Sequence, residues 1–411
     1  MREVVDRCCG LDVHKATVMA CVRIAKPKGK EEEVRTFSTM TEDILVLRDW
    51  LESLEVTHVA MESTGVFWKP VFNLLEDRFT TILVNPAHMK NVPGRKTDVN
   101  DAQWIAELLA HGLLTASFVP PRPVRDLRDL TRYRRALIND RTREVNRLQK
   151  FLEDAGIKLS SVASDVLGVS ARRMIEALLA GTTDVEVLAE LAKGTLRRKI
   201  PQLRQALTGR LRGHHAFLLT EILAHVDELD ERLERLTAEI GKHMTPFEWA
   251  VQLVQEIDGI HRRTAEDVLA EIGTDMTRFP TASHLASWAA MCPGHDESAG
   301  KRRTGKTRKG NKWLRSALVQ AGTAAARSKN NYLSAQYRHL VRRCGHKKAV
   351  FAVAHSILRI IWHLLANGVA YRDLGADYFA RRNVEATTRR HVRQLEALGF
   401  RVELHSAEST A

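Results

Sequence analysis

Short β-branched segments alternate with helical patterns over the first 110 residues, and this order restricts the possible folds more than any other feature of the chain. Residues 4–24 predict two strands of an antiparallel hairpin joined by a short link, and residues 34–38 predict a third strand. The elements predicted after them are a helix at 41–52, a strand at 57–62, a helix at 67–77, a strand at 80–84 and a helix after 97. This order is typical of an α/β domain with a mixed sheet covered by helices.

Four acidic residues fall at the ends of these predicted elements. Asp12 and Glu62 each end a strand, and Asp98 and Asp101 open the helix that follows Thr97. Acids in a first helical turn can simply complement the helix dipole. However, ligand sites of α/β sheets gather beyond the carboxyl ends of strands, and adjacent carboxylates suit a hard divalent cation such as Mg²⁺. We therefore predict a two-metal site for phosphoryl transfer.

Three sequence motifs surround these acids. They are Gly-Leu-Asp-Val-His-Lys at 10–15, Met-Glu-Ser-Thr-Gly at 61–65 and Lys-Thr-Asp-Val-Asn-Asp-Ala at 96–102. In order and surroundings they resemble the motifs of the DEDD-type insertion-sequence transposases, and the resemblance covers residues 4–115. It implies a ribonuclease-H-like N-terminal domain of the RuvC type. The metal ligands that it implies are Asp12, Glu62, Asp98 and Asp101.

Basic residues are concentrated in one region of the chain. The formal net charge is +13, yet residues 298–372 contain 17 Lys or Arg and no Asp or Glu. The remainder contains 46 basic and 50 acidic residues and is therefore slightly acidic. A basic surface confined to one region is typical of nucleic-acid binding, so we expect DNA as a partner.

Cysteine spacing and apolar segments indicate the compartment. The five cysteines show no C-x-x-C spacing, which favours a reducing cytosol over a disulfide framework or structural zinc. The N-terminal residues show no signal-peptide pattern. The most apolar segment, 349–371, is interrupted by His355, Arg359, His363 and Asn367, which favours a core helix over a membrane span. We expect a cytoplasmic, nucleoid-associated bacterial protein without a membrane partner.

Two long helices are predicted after a stiff Pro-rich hinge at 120–123. The first, at 127–154, lies in a basic stretch and presents either a solvated face or a phosphate-binding one. The second has an apolar seam with alternating spacings of three and four residues, at Leu219, Ile222, Val226, Leu229, Leu233, Leu236 and Ile240. The seam predicts a coiled coil, formed within the chain as a hairpin with 127–154, between chains of a dimer or tetramer, or both.

Residues 253–269 have the pattern of a helix-hairpin-helix, in which a tight turn offers backbone N–H groups to a phosphate. Gly259 supplies the turn, and His261 stands where a second glycine is expected. Because His tolerates positive φ better than bulky residues do, we predict DNA binding at Gly259 and His261. The alternative is a purely structural hairpin.

A Gly-rich basic loop at 288–310 precedes a helix that starts near Asn311. Ser298 is its serine, followed by Gly300 and by Lys301, Arg302 and Arg303, which suit a phosphate. A loop serine is ordinarily a surface residue, because its hydroxyl is a weak nucleophile unless it is activated. The other basic residues assigned here to nucleic-acid binding are Lys306, Arg308, Lys309 and Lys312.

This loop and the hairpin before it resemble the C-terminal domain of the same transposases. The matching positions are Pro293, Ser-x-Gly-Lys at 298–301 and Lys-Gly-Asn-Lys at 309–312, whereas residues 294–297 differ from the aromatic and serine residues expected there. The resemblance implies that Ser298 is a nucleophile on DNA. It also implies a structured guide RNA, which the residues themselves do not indicate.

The sequence thus predicts an α/β plus all-α protein. Its domains would be a RuvC-like DEDD domain at 1–119, a helical coiled-coil domain at 120–246, a transposase domain with the serine loop at 247–376 and a tail at 377–411. The predicted function is a transposase that moves an insertion sequence, with the acids of one chain meeting the serine of another. Two alternatives remain: a junction-resolving nuclease with water as nucleophile, and a non-enzymatic nucleic-acid-binding protein.

Overall fold

The chain divides into two compact units, Met1–Val119 and Pro120–Ala411. A computed structural model describes residues 3–27, 29–63, 65–89, 101–294, 296–298, 300–382 and 384–404. The first unit is α/β and the second is almost entirely helical. The prediction of a mixed α/β fold is confirmed.

The first unit is built on a five-stranded mixed sheet. Its strands are β1 (Arg7–Val13), β2 (Thr17–Lys26), β3 (Gly29–Ser38), β4 (His58–Glu62) and β5 (Thr80–Val84), in the order β3-β2-β1-β4-β5. β1, β2 and β3 pair antiparallel, whereas β4 pairs parallel with both β1 and β5. β3 begins five residues earlier than predicted. Its early part is rich in Lys and Glu, and charged side chains are usual on an exposed edge strand.

Helices cover both faces of this sheet. They are α1 (Thr41–Ser53), α2 (Trp68–Leu75), α3 (Pro86–Met89) and α4 (Asp101–Ala110). One face of β1, with Cys9, Leu11 and Val13, packs into a core with residues of α1 and α2. The other face belongs to α4, because Cys8 of β1 and Ala60 of β4 cluster with its apolar residues. The strict alternation of β1 side chains assigns each residue to one of these two layers.

The second unit consists mainly of helices. They are α5 (Arg122–Asp154), α6 (Leu159–Val162), α7 (Val169–Leu179), α8 (Val185–Glu190), α9 (Ile200–Ala206), α10 (Gly213–Met244), α11 (Glu248–Gln255), α12 (Arg262–Ile272), α13 (Ala282–Trp288), α14 (Lys312–Arg327), α15 (Tyr332–Cys344), α16 (His346–Asn367), α17 (Tyr378–Arg381) and α18 (Val384–Ala397). A two-stranded hairpin, β6 (Asp296–Ser298) and β7 (Lys301–Thr304), lies between α13 and α14. Helix α5 begins five residues before its predicted start, because proline is tolerated in a first helical turn.

Helices α5 and α10 form an antiparallel hairpin within the chain. Asp154 at the end of α5 accepts a hydrogen bond from His215 at the start of α10, and Arg141 pairs with Asp230 further along both helices. The first half of the apolar seam is buried, whereas Leu233 is only half-buried. The helical hairpin between α5 and α10 is therefore present, whereas coiled-coil packing of the seam stays a prediction. Association between chains through this seam stays a prediction.

Helix α16 is the one helix within the described ranges that is long and apolar enough to cross a membrane. Half of its most apolar window is buried inside the protein. Its buried residues include Val353, Ile357 and Ile361, and it packs against α13, α14 and α15. These contacts are those of a core helix.

Candidate active site

Asp12 and Glu62 lie at the carboxyl ends of the neighbouring parallel strands β1 and β4. Leu11 and Met61 form the last residue pair between these two strands, and Asp12 and Glu62 directly follow them. Both Leu11 and Met61 are buried in the core beneath α1 and α2. Because side chains alternate along a strand, the two acids project from the opposite face, which is the α4 face.

Helix α4 runs antiparallel to β1 and brings Asp101 to the same end of the sheet. The carbonyl of Ala110, the last helical residue, accepts hydrogen bonds from N–H groups just before β1. Gly10 permits the close approach, because a Cβ there would lie 2.2 Å from the carbonyl oxygen of Ala102. Asp101 immediately precedes Ala102, so the first turn of the helix lies beside the strand end that carries Asp12.

Three of the four predicted metal ligands therefore lie at the same end of the sheet. Asp98, the fourth, lies outside the described residues. His14 adds a partner to which the sequence had assigned no role, since its Nε2 lies 3.1 Å from Oδ2 of Asp12. The Asp12 side chain is 22% exposed, so it is accessible from solvent but partly enclosed. His14 belongs to the sequence motif at 10–15. Its contact with the Asp12 carboxylate depends on the bend that follows β1, which the sequence did not reveal.

The chemistry of the available donors fits a hard divalent cation. Cys8 and Cys21 are the thiols that pack against α4 near Gly10, and burial raises the pKa of each to about 12. Both thiols therefore stay protonated at neutral pH and are poor metal ligands. Carboxylate oxygens remain, which are the ligands that Mg²⁺ prefers. Gly10 contributes to this site because it allows α4, and with it Asp101, to lie close to β1.

Gly10→Ala is expected to cost about 3 kcal/mol, because the added methyl group would collide with helix backbone that cannot move without displacing α4. The free energy of opening β1 and α4, obtained from hydrogen exchange of the full chain, measures this cost. Gly241→Ala is the matched control: nothing lies within 4 Å of its added Cβ on α10, so it should stabilise by about 0.5 kcal/mol or more. Equal protection of α4 in wild type and Gly10→Ala would contradict the close packing.

The predicted serine loop contains a short β-hairpin. Ser298 ends β6 and pairs with Lys301 of β7, and Gly300 has φ +72° in the connection between them. The prediction of a loop throughout 288–310 is therefore wrong at these residues, because the short segments on either side of Gly300 pair as strands. Gly294 donates its N–H to the carbonyl of Lys306 (3.0 Å) and extends the pairing.

The structure describes the side chains of some, but not all, basic residues of this segment. Lys301, Lys306, Arg308, Lys309 and Lys312 are exposed. The side chains of Ser298, Arg302 and Arg303 lie outside the description. Arg308 has a structural contact as well, because its Nη2 donates to the carbonyl (3.2 Å) and hydroxyl (2.9 Å) oxygens of Ser287.

Arg315 holds the two ends of this segment together, a role that the sequence did not reveal. Its Nη2 donates to the carbonyl of Ala290 before the hairpin and to that of Arg308 after it, each at 2.9 Å. Gly310 packs closely against the same end, because a Cβ there would lie 2.6 Å from the carbonyl oxygen of Ala289. The hairpin is therefore fixed to the helical body at its base.

A buried carboxylate connects this base to helix α5. Glu271 of α12 is 1% exposed and accepts two hydrogen bonds from Arg132 (2.7 and 2.8 Å). It also accepts one from Asn311 (2.6 Å), whose own side-chain oxygen caps α14. Such a carboxylate persists in a core only because its oxygens are satisfied. Neither its burial nor its partners could be read from the local sequence.

The turn between α11 and α12 contains Gly259 of the predicted helix-hairpin-helix. Gly259 has φ +88°, and a Cβ there would lie 2.6 Å from the carbonyl oxygen of Ala321 in α14. The absence of a side chain at Gly259 therefore allows α14 to lie close to this turn. His261 has φ −102°, so the expectation that it must tolerate positive φ is wrong, because it is the ordinary extended N-cap of α12. DNA binding by this turn stays a prediction.

A second group of possible metal ligands joins the ends of α5 and α10. Asp154, His214 and His215 have ligand atoms within 4.8 Å of one another. The hydrogen bond from buried His215 lowers the pKa of Asp154. The other ring nitrogen of His215 accepts from the backbone of Arg212. With both nitrogens of His215 occupied, this group acts as a clasp of the helical hairpin.

Two protein-family models match this chain. A DEDD transposase family model of the IS110 type, described as a transposase, matches residues 9–157. A second model, described as a transposase of the IS116/IS110/IS902 family, matches residues 251–338. Together they cover more than half of the chain and contain the acid end of the sheet and the serine hairpin, respectively.

Individual relatives support the same assignment. The transposase for insertion sequence element IS1111A of Coxiella burnetii is 28% identical over 329 residues, which are 78% of this chain and 80% of the relative. The transposase for insertion sequence element IS1328 of Yersinia enterocolitica is 23% identical over 297 residues, 70% of this chain and 78% of the relative. The chain therefore belongs to the IS110 family of insertion-sequence transposases.

Proposed function

We propose that the protein cuts and rejoins DNA strands to move an insertion sequence. The observation that supports this proposal is the placement of Asp12, Glu62 and Asp101 at the same end of the sheet. Three carboxylates in a basic protein of a transposase family suit a site for phosphodiester chemistry. The exposed lysines of the 298–312 segment supply charge for holding a DNA backbone.

The three acids, with Asp98, would hold divalent cations, and we propose Mg²⁺. When bound, such cations polarise a phosphodiester and stabilise charge on its oxygens. Asp12 contributes a carboxylate that His14 orients through the 3.1 Å contact. The N-terminus of α4 contributes Asp101, and the Gly10 packing holds this helix end in register with the strand ends.

Ser298 would act as the nucleophile. Its Oγ attacks phosphorus, an Oγ–P bond forms, and the bond from phosphorus to the 3′ oxygen breaks. The serine proton is lost to solvent or to a base, and the leaving 3′ oxygen takes up a proton. A 3′ hydroxyl then attacks the phosphoserine and reverses these changes, so the bond energy is kept for rejoining. Lys301, Arg302 and Arg303 would neutralise the charge that develops on the phosphate.

We propose two further partners. A structured guide RNA is implied by the family resemblance, and the basic 298–372 region is compatible with it. A second copy of the chain would supply the serine to the acids of the first, because the two groups belong to separate compact units. The half-buried Leu233 and Leu236 of α10 are candidates for that association.

The test is a denaturing gel of labelled element-end DNA incubated with the wild-type protein, Mg²⁺ and total host RNA. We expect a slow-migrating, protease-sensitive DNA adduct that is lost when EDTA replaces Mg²⁺. Omitting the RNA tests the guide, since an undiminished yield without RNA would contradict it. Cutting without any adduct would favour a hydrolytic resolvase, and binding without cutting would favour a non-enzymatic protein.

A further inference from the structure

Helix α16 carries a second stripe beside its buried one. This stripe lines a cavity of about 340 Å³. Its members are spaced by three, four, seven and eight residues and therefore share one helical face: Ser356, Arg359, Ile360, His363 and Leu364. Arg359 and His363, two of the polar residues that interrupt the apolar sequence of α16, therefore line this cavity.

A second wall of the cavity is formed by Tyr332, at the start of α15, and by Tyr371, Arg372 and Leu374 after α16. Hydrogen bonds from backbone N–H groups to carboxylates hold this wall in place. Oδ1 of Asp373 accepts a hydrogen bond from the N–H of Tyr332 (3.0 Å), and Glu256 accepts one from the N–H of Tyr371 (2.6 Å). The wall is therefore attached both to α15 and to the end of α11.

The cavity is cationic. Arg359 and Arg372 are exposed, and neither forms an ion pair or hydrogen bond with any residue that the structure describes. The described lining contains no Asp or Glu. Asp373, the acid next to Arg372, directs its oxygens to backbone N–H groups and the Tyr371 hydroxyl. A ligand with negative charge would meet two unpaired guanidinium groups.

An aromatic column ends at this cavity. His339 stacks on Phe379 with ring centroids 4.9 Å apart, and Phe379 stacks on Tyr332 at 5.6 Å. Tyr332 also lines the cavity, next to the apolar side chains of Ile360 and Leu364. A planar ring on the cavity side of Tyr332 would extend the column.

We propose that this cavity binds one unpaired nucleotide of a nucleic-acid strand. Its base would lie against Tyr332 and the apolar floor, and its phosphate would contact Arg359 and Arg372. The volume falls in the range of ligand sites, roughly 300–1,000 Å³, and is large enough for one flipped-out base but not for a duplex. The proposal depends on the proposed function only for the source of the nucleotide.

The experiment compares binding of two duplex probes, one with a single bulged nucleotide and one with an abasic site at the bulge, in EDTA. Wild-type full-length protein should prefer the base-containing probe by about tenfold, the typical value of stacking one base. The cavity-filling Ile360→Phe should reduce this preference to near unity, whereas Arg359→Gln removes a phosphate contact that both probes share and should weaken both. Arg342→Gln, an exposed arginine on α15, should weaken both probes equally and keep the preference.

Matched DNA and RNA probes show which nucleic acid supplies the nucleotide. The one with the larger preference for the base-containing probe is the one that the cavity binds. Equal wild-type binding of base-containing and abasic probes in both chemistries would overturn the proposal. So would an Ile360→Phe protein that folds normally and keeps the preference. Neither result depends on cutting, so the outcome is separate from that of the transposition test.

Discussion

Asp12→Asn is expected to reduce DNA cutting by at least roughly a thousandfold, the scale of losing a group that stabilises transition-state charge. The substitution keeps the size of the side chain but removes the charge at the end of β1. An amide is a poor ligand for a hard cation that three or four carboxylates are arranged to hold. The rate of strand cutting of labelled element-end DNA in Mg²⁺ measures the effect.

A readout besides activity separates a lost metal site from a damaged fold. Thermal unfolding of the wild type should shift upward when Mg²⁺ is added, because a ligand that binds only the folded state stabilises it. The Asp12→Asn protein should unfold normally without Mg²⁺ and show a smaller shift with it. Asp49→Asn removes the same charge from an exposed site on α1 and should leave both cutting and the shift unchanged. Wild-type cutting by Asp12→Asn would remove the acid end of the sheet from the mechanism.

Ser298→Ala is expected to abolish the covalent DNA adduct completely. No other atom would replace the serine oxygen in the bond to phosphorus, so the adduct is lost and not merely slowed. The adduct band on a denaturing gel, quantified before and after protease treatment, measures this. Ser283→Ala, an exposed serine on α13, is the control and should form the adduct normally. Unchanged cutting by Ser298→Ala, with no adduct in either protein, would make the reaction a hydrolysis.

The same variant tests whether sites are shared between chains. Ser298→Ala and Asp12→Asn proteins should each be inactive alone. Mixed, they should recover part of the wild-type adduct if the acids of one chain meet the serine of another. A mixture as inactive as either protein alone would show that each site is built within one chain.

Local pattern was sufficient for much of the fold. β-Branched segments and helical spacing predicted the mixed sheet and the helices around it, because strands and amphipathic helices differ in period. The boundaries were less certain: β3 began at Gly29 and not at 34, and α5 at Arg122 and not at 127. Edge strands and first helical turns are polar, so hydrophobic period does not mark where they begin. The β6–β7 hairpin was missed for the same reason, since its short strands contain mainly charged and polar residues.

The sequence by itself determined the chemistry that this protein has available. Its acids at element ends, its basic C-terminal region and the motifs around Asp12 and Ser298 are all local features. Only the tertiary structure decided which groups meet. Gly10 admits α4 against β1, the alternation of β1 and β4 points Asp12 and Glu62 to that helix, and Glu271 joins Arg132 to Asn311 across 179 residues of chain. Contacts between residues so far apart depend on packing complementarity, which no local period records.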